Sequence, residues 1–295
     1  MKFGRLSLLL AVAALLFAPA LQAQDAPGKK KLVITKIAAT EAVTKRMGKQ
    51  GVGLSLDSVL QALDSQVYDR VLNTKRFEIL ERSDADALAK ESAATGEAFT
   101  FKKADYVLTI RVDSFNDRME ERKLASLGKT VRARTIELSA VAKITEGATQ
   151  RAIASTNFKV SKRDSENRSE NTSERVGEGS DDLLIQVVSD MAQKIASRAA
   201  EVISPARVIG KRDKIVTINR NDQSGIKVGQ TWEVFVLGDE MVDPDTGDKS
   251  REEVLVGKVK VTRVTPQNSQ AEIVDDTGID KGAVVRLKDD VEADQ

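Results

Sequence analysis

Residues 55–82 read SLDSVLQALDSQVYDRVLNTKRFEILER and residues 104–112 read ADYVLTIRV, and these two runs decide the fold class. In the first, Leu56, Val59, Leu60, Leu63, Val67 and Val71 recur at steps of three and four, which places them on one stripe of an α-helix. Burying such a stripe is worth about 10 kcal/mol gross, at about 1.5–3 kcal/mol per large apolar side chain, before conformational entropy is subtracted. The helix therefore needs a sheet to lie on. Ser55 is a good N-cap, and Asp57 meets the positive end of the helix dipole. Asn73 and Thr74 turn the chain into a strand over 76–82, a short helix is expected around 85–92, and a second strand over 104–110.

Working outward, residues 32–38 alternate and are rich in β-branched side chains, as a first strand would be. Residues 48–55, GKQGVGLS, invite comparison with a phosphate-binding loop. That loop needs a lysine directly before its Ser or Thr, and Leu54 holds the position, so the segment reads as an entry loop to the helix. Downstream, residues 131–146 and 151–162 form a hairpin turning at Gly147. One face carries Ile136, Leu138, Ala140, Ala142 and Ile144, and the other, wet face Glu137, Ser139 and Lys143. Residues 183–203 form a last helix, with Leu184, Val187, Val188, Met191, Ile195 and Ala199 on one stripe and Pro205 beyond its end.

From Ala206 the texture changes to short β runs and glycine turns. Strands are expected over 214–219, 231–237, 254–264, 270–274 and 283–287, making a small barrel or sandwich. A weak internal repeat supports this: Gly225-Ile226-Lys227-Val228-Gly229 and Gly278-Ile279-Asp280-Lys281-Gly282 each feed a strand. Trp232, the single tryptophan, is expected to anchor that core.

Residues 1–23 read as a cleaved secretory leader. Lys2 and Arg5 precede the apolar run 6–17, and Leu21-Gln22-Ala23 fits the cleavage site. With no cysteine in the chain, there is neither a disulfide nor a thiol to carry a lipid after the leader, where Gln24 stands. The absence of histidine removes the commonest general base, the usual zinc ligand and every Ser-His or Cys-His nucleophile arrangement. A net charge of +1 with 4% aromatic residues leaves no nucleic-acid footprint. The reading is thus of a non-enzymatic periplasmic protein, not a lipoprotein, without cofactor or metal and with no integral membrane span in the mature chain.

Helix, F-E-I-L-E-R, helix, then A-D-Y-V-L-T-I resembles the curli assembly and transport (CsgG-type) family over residues 31–203. Glu81-Arg82 is the more distinctive pair, although an ion pair at a strand end explains it as well. The G-I-x-x-G turns, the D-P-x-T-G turn and the S-Q-A-E-I strand are similar to the C-terminal domain of the flagellar assembly protein FlgT. Pattern and resemblance together give an expected α+β (or α/β) protein: a mobile start at 24–30, a domain at 31–205 with a mixed sheet and amphipathic helices, a barrel-like β domain at 206–290, and a polar tail at 291–295. Members of the curli type are usually outer-membrane lipoproteins, and the cysteine that would make one is missing here. In the export channel of that family, the counterparts of residues 115–128 and 161–182 are membrane-spanning hairpins.

Here those segments are strongly charged. A lipid-facing strand loses about 2–4 kcal/mol per mid-depth Arg or Lys, so neither segment reads as a membrane span. Residues 161–182 read instead as a mobile loop, and Arg163, Glu166, Arg168, Glu170 and Arg175 as a partner-binding arm. The function implied is an assembly or secretion accessory factor working by contact with envelope proteins, with homo-oligomerisation left open. The alternatives are a regulator or scaffold of cell-wall synthesis or of a flagellar basal structure, a pore-forming secretion component, and a hydrolase using carboxylates alone, such as Asp84 or Asp245. Residues 243–248, DPDTGD, resemble the start of a calcium loop but lack the Gly and Glu of an EF-hand, and a hairpin turn explains them.

Overall fold

The structure, a computed structural model, describes residues 28–50, 56–80, 104–124, 129–169, 182–245, 247 and 249–288, with side chains omitted at 47–50, 122–132 and 164–169. The leader, the helix expected at 85–92, Glu81-Arg82 and Asp84 lie outside the described residues.

The apolar stripe of the opening run is the floor of the first core. It belongs to helix α2, Leu56–Asn73, whose Val59, Leu63, Val67 and Val71 are fully buried. At its end Thr74 donates its hydroxyl to Val71 O at 2.7 Å, and Lys75 takes a left-handed φ of 58° to swing the chain into a strand. Helix α3, Asp182–Ile203, packs beside α2, burying Leu184, Val187, Val188, Met191, Ile195 and Ala199.

Both helices cover one face of a mixed six-stranded sheet. Its strands are β1 (Lys30–Ile34), β2 (Ala38–Ala39), β3 (Phe77–Ile79), β4 (Tyr106–Leu124), β5 (Lys129–Glu146) and β6 (Ala152–Ser169). The order is β3-β1-β4-β5-β6, with β2 added along β4. β1 runs parallel to β3 and β4, and β4, β5 and β6 run antiparallel. The expected inner face of β5 is buried from Ile136 to Ile144, and Lys143 is exposed on the other.

Two expectations need correction here. Residues 41–50 form helix α1, Glu41–Gln50, so Gly48 to Gln50 belong to a helix and not to the entry loop. It is short and shows one buried apolar side chain, Val43, held to the sheet by Arg46, whose guanidinium donates to Phe115 O at 2.9 Å. That is too little periodicity to read from sequence. The second correction concerns the charged segments: residues 115–124 continue β4 and 161–169 continue β6, so the expected loop starts as a strand.

The charged extension forms a three-stranded ribbon. At about 3.3 Å per residue, 18 residues of β6 span about 60 Å. Ile136 is the outermost residue of β5 in this core, and the last row apolar on all three strands is that of Phe115, Leu138 and Val160. Beyond it the same face carries Asp117, bound by both Nε and Nη2 of Arg134 at 3.0 and 2.7 Å, and Lys162, 2.8 Å from Asp190 of α3. Cross-strand charge pairs thus take over from apolar contacts without a break in register.

The second core lies in a six-stranded antiparallel sheet of order β12-β9-β10-β11-β8-β7. It comprises β7 (Val208–Arg212), β8 (Ile215–Ile218), β9 (Thr231–Val242), β10 (Lys249–Val264), β11 (Ser269–Asp276) and β12 (Val284–Leu287). Five of these match expected strands, and β7 was not anticipated. Its only fully buried side chain is Val208, in the pattern of a half-polar strand. The two ends of the strand order meet: Val208 N donates to Ala283 O at 2.9 Å, Gly282 N to Val208 O at 2.8 Å and Val285 N to Ala206 O at 2.9 Å. This join gives the sheet its barrel-like curl, around Trp232, Val234, Val259 and Ile279. Gly257 is obligatory in it, because at φ 159° an added Cβ would lie 2.2 Å from Asp275 O.

Candidate functional site

Of the expected arm, Arg163 lies exposed on β6, 3.6 Å from Glu120 of β4. Glu166 and Arg168 take register positions opposite Arg132 and Thr130 on the same strand, and Glu170 and Arg175 lie outside the described residues. The structure therefore places Arg163, Glu166 and Arg168 on one strand, and that strand is the edge of the first sheet. An edge strand presents a row of backbone groups to which another chain can add.

The turn at 243–248 joins β9 to β10. Asp243 uses one carboxylate oxygen to accept the amide of Asp245 at 2.8 Å, and its carbonyl accepts the amide of Gly247, at φ 72°, at 2.9 Å. Those bonds are what a hairpin turn of this composition requires. Among the described residues, no group of three His, Cys, Asp or Glu is placed to hold a metal ion.

Sequence reasoning missed a cleft of about 580 Å³ between α3 and the second sheet. Helix α3 supplies Lys194, Ser197, Arg198 and Glu201; β9 and β12 supply Trp232, Arg286 and Leu287; and Lys227 comes from the first glycine turn. No local pattern marks it, since its walls come from five separate parts of the chain, Phe158 of β6 among them. Its one sequence hint is the lone tryptophan, which is buried in the second core and also lines the cleft.

Its floor is made by Arg220, only 4% exposed. The guanidinium donates to Ala200 O, which also accepts the amide of Ser204 at 3.0 Å, and to Ser204 O just past the end of α3, and so caps the helix. Burial, and secondarily the nearby charge of Arg76, lowers its pKa to about 9, with Glu201 pulling it back up, so at neutral pH it remains a cation. Gln193 fastens the wall, its amide donating to Ser197 Oγ at 3.1 Å and Gln223 O at 3.0 Å. Arg198 is paired with Glu201 at 2.8 Å, and Arg286 holds both oxygens of Glu253, which raises the arginine's pKa.

No family model matches the chain, and no curated protein does. Among solved structures, the hypothetical protein CT253 from Chlamydia trachomatis is 9% identical with a TM-score of 0.37, covering 60% of this chain and 99% of that one. A minor lipoprotein from Acinetobacter baumannii is 12% identical with a TM-score of 0.31, covering 59% of this chain and 91% of its own. The rare lipoprotein B from Shewanella oneidensis is 11% identical with a TM-score of 0.28, covering 58% and 95%. Scores this low transfer neither a family nor a function.

Proposed function

We propose that this protein is a non-enzymatic component of a bacterial envelope that works through protein contacts, as an assembly or secretion accessory factor. The observation that carries the reading is β6: an 18-residue edge strand, exposed at Ser155, Asn157, Lys159, Ser161 and Arg163. Adding a strand to such an edge needs main-chain hydrogen bonds and few side-chain rules, which suits a docking partner better than a substrate. The apolar run at 6–17 supports export, and a chain without histidine or cysteine supports a role other than catalysis.

The charged ribbon argues for contact in water over a pore. On one of its faces stand Asp117, Arg134 and Lys162, and on the other Arg118, Glu120 and Arg163. Among the described side chains, neither face offers a lipid the apolar alternation a membrane strand requires.

Envelope fractionation of the native protein, with carbonate and urea washes, combined with photo-crosslinkers placed at Ser155, Asn157 and Arg163, tests the reading. Release by the washes and crosslinking of one discrete partner through these positions is the expected result. A wash-resistant oligomer that survives an unheated gel would overturn it in favour of a pore, and crosslinks only from surfaces remote from β6 would overturn the edge-strand argument.

A further inference from the structure

We propose that the cleft between α3 and the second sheet binds a small amphipathic organic anion, one apolar body carrying a carboxylate, sulfonate or phosphate group. Its volume, about 580 Å³, lies within the usual range of ligand pockets. The walls divide by chemistry. Phe158, Pro205, Trp232, Val285 and Leu287 supply an apolar surface, and the exposed Lys194 and Lys227 line the same cleft, one from the helix and one from the glycine turn.

The charge is unbalanced in a specific way. Arg198 and Arg286 are engaged by Glu201 and Glu253, and Arg220 is committed to helix carbonyls. Lys194 and Lys227 have no ion-pair partner among the described residues, leaving two ammonium groups free to meet an anion. An ammonium is a compact point charge that accepts any oxyanion without the planar match a guanidinium favours, so carboxylate, sulfonate and phosphate share one recognition chemistry. The pocket is also preformed. Gln193 ties the helix to the loop at 223, and a Cβ on Gly225 would come 2.7 Å from Ser197 Oγ, so the two walls approach closely only because that residue is glycine. Preformed walls avoid the ordering cost that would weaken a small ligand's binding. The cleft takes only Phe158 from β6 and none of the exposed edge positions 155, 157, 159, 161 and 163, so the proposal stands or falls separately from the functional reading above.

Trp232 makes the test direct, because it is the only tryptophan in the chain and lines the cleft. The full chain is titrated with 8-anilino-1-naphthalenesulfonate while energy transfer from Trp232 is followed. Decanoate, decyltrimethylammonium and anionic phospholipid vesicles serve as competitors. The expected result is saturation at one equivalent, affinity that falls with added salt, displacement by decanoate, and about tenfold weaker binding in the Lys194→Glu/Lys227→Glu double variant with an unchanged melting temperature. If the double variant melts early, the Lys194→Gln/Lys227→Gln pair takes its place. Equal affinity in the charge variants, or displacement by the cationic amphiphile as readily as by decanoate, would overturn the proposal. A response competed only by vesicles would overturn it too, in favour of a membrane surface.

Discussion

Asp276 shows how a single exposed residue links pH to stability. Its carboxylate receives the ammonium of Lys211 at 2.7 Å and the amides of Ile279 and Gly278 at 2.8 and 3.1 Å, which together fix the turn that delivers Ile279 to the second core. The hydrogen bond from Lys211, and after it that from Ile279, holds the Asp276 pKa below the ordinary 3.8. The folded chain thus takes up this proton less readily than the unfolded chain, so the stabilisation is full above 3.8 and is lost as pH falls through the lower, folded value. With no histidine, no side chain has an ordinary pKa between about 5 and 8, and stability should be flat across that window. Asp276→Asn keeps an acceptor oxygen and loses the charge. It should lower the melting temperature at neutral pH and converge with the parent only once the pH has fallen below the lowered folded pKa of Asp276, where both side chains are neutral. Parallel melts that stay equally far apart in acid would show that the ion pair is not the source.

At the scale of elements, the helix stripe carries the most weight. Leu63 is at the centre of α2 with no exposure, and Leu63→Asp puts a carboxylate where no partner is available. Losses beyond about 4 kcal/mol are expected of a buried unpaired charge, enough to unfold a domain of ordinary stability. A circular-dichroism melt should show the helical signal lost at room temperature, and a normal melt would mean that this face does not point inward. The stripes of α2 and α3, and the two-faced alternation of β5, were legible because each element meets the core along its whole length. Helix α1 was not, having one described buried apolar residue, Val43. The far halves of β4 and β6 were not legible either, since Asp117–Arg134 and Lys162–Asp190 replace apolar side chains on what remains the core-facing side. Their pairing depends on a neighbouring strand's register, which no window of one strand contains. The cleft was hidden for a similar reason, its lysines at 194 and 227 being ordinary surface charges until the fold brings them to one cleft with Trp232.

At the scale of the molecule, the two cores are joined by polar bonds more than by apolar contact. The first cluster ends at Ile203 and the second begins at Ala206, and no residue belongs to both. Between them Arg76 donates to Asn219 O, Asn221 donates to Asn73 O at 2.8 Å, Arg70 donates to Gln223 Oε1 at 3.1 Å and Arg220 caps the end of α3. Arg76 and Arg220 are both desolvated here, and burial lowers the pKa of each. Every one of these donors reaches a backbone carbonyl or a neutral amide. The joint is thus held by hydrogen bonds from charged or amide groups, each worth about 1–3 kcal/mol when its partner is left buried without it. Coupling of this size should make the two small cores unfold as one unit, because opening either breaks the bonds to the carbonyls at Asn219, Asn73 and the end of α3. Arg220→Met removes the cap while filling much of the same space, and Arg76→Met removes the second tie. Each single variant should lower the melting temperature of the whole chain, and the double variant should separate one calorimetric transition into two. Two transitions already present in the unaltered protein would show that the joint transmits nothing. A double variant that melts lower but still as one would place the coupling in the packing of α3 against the glycine turn at 225.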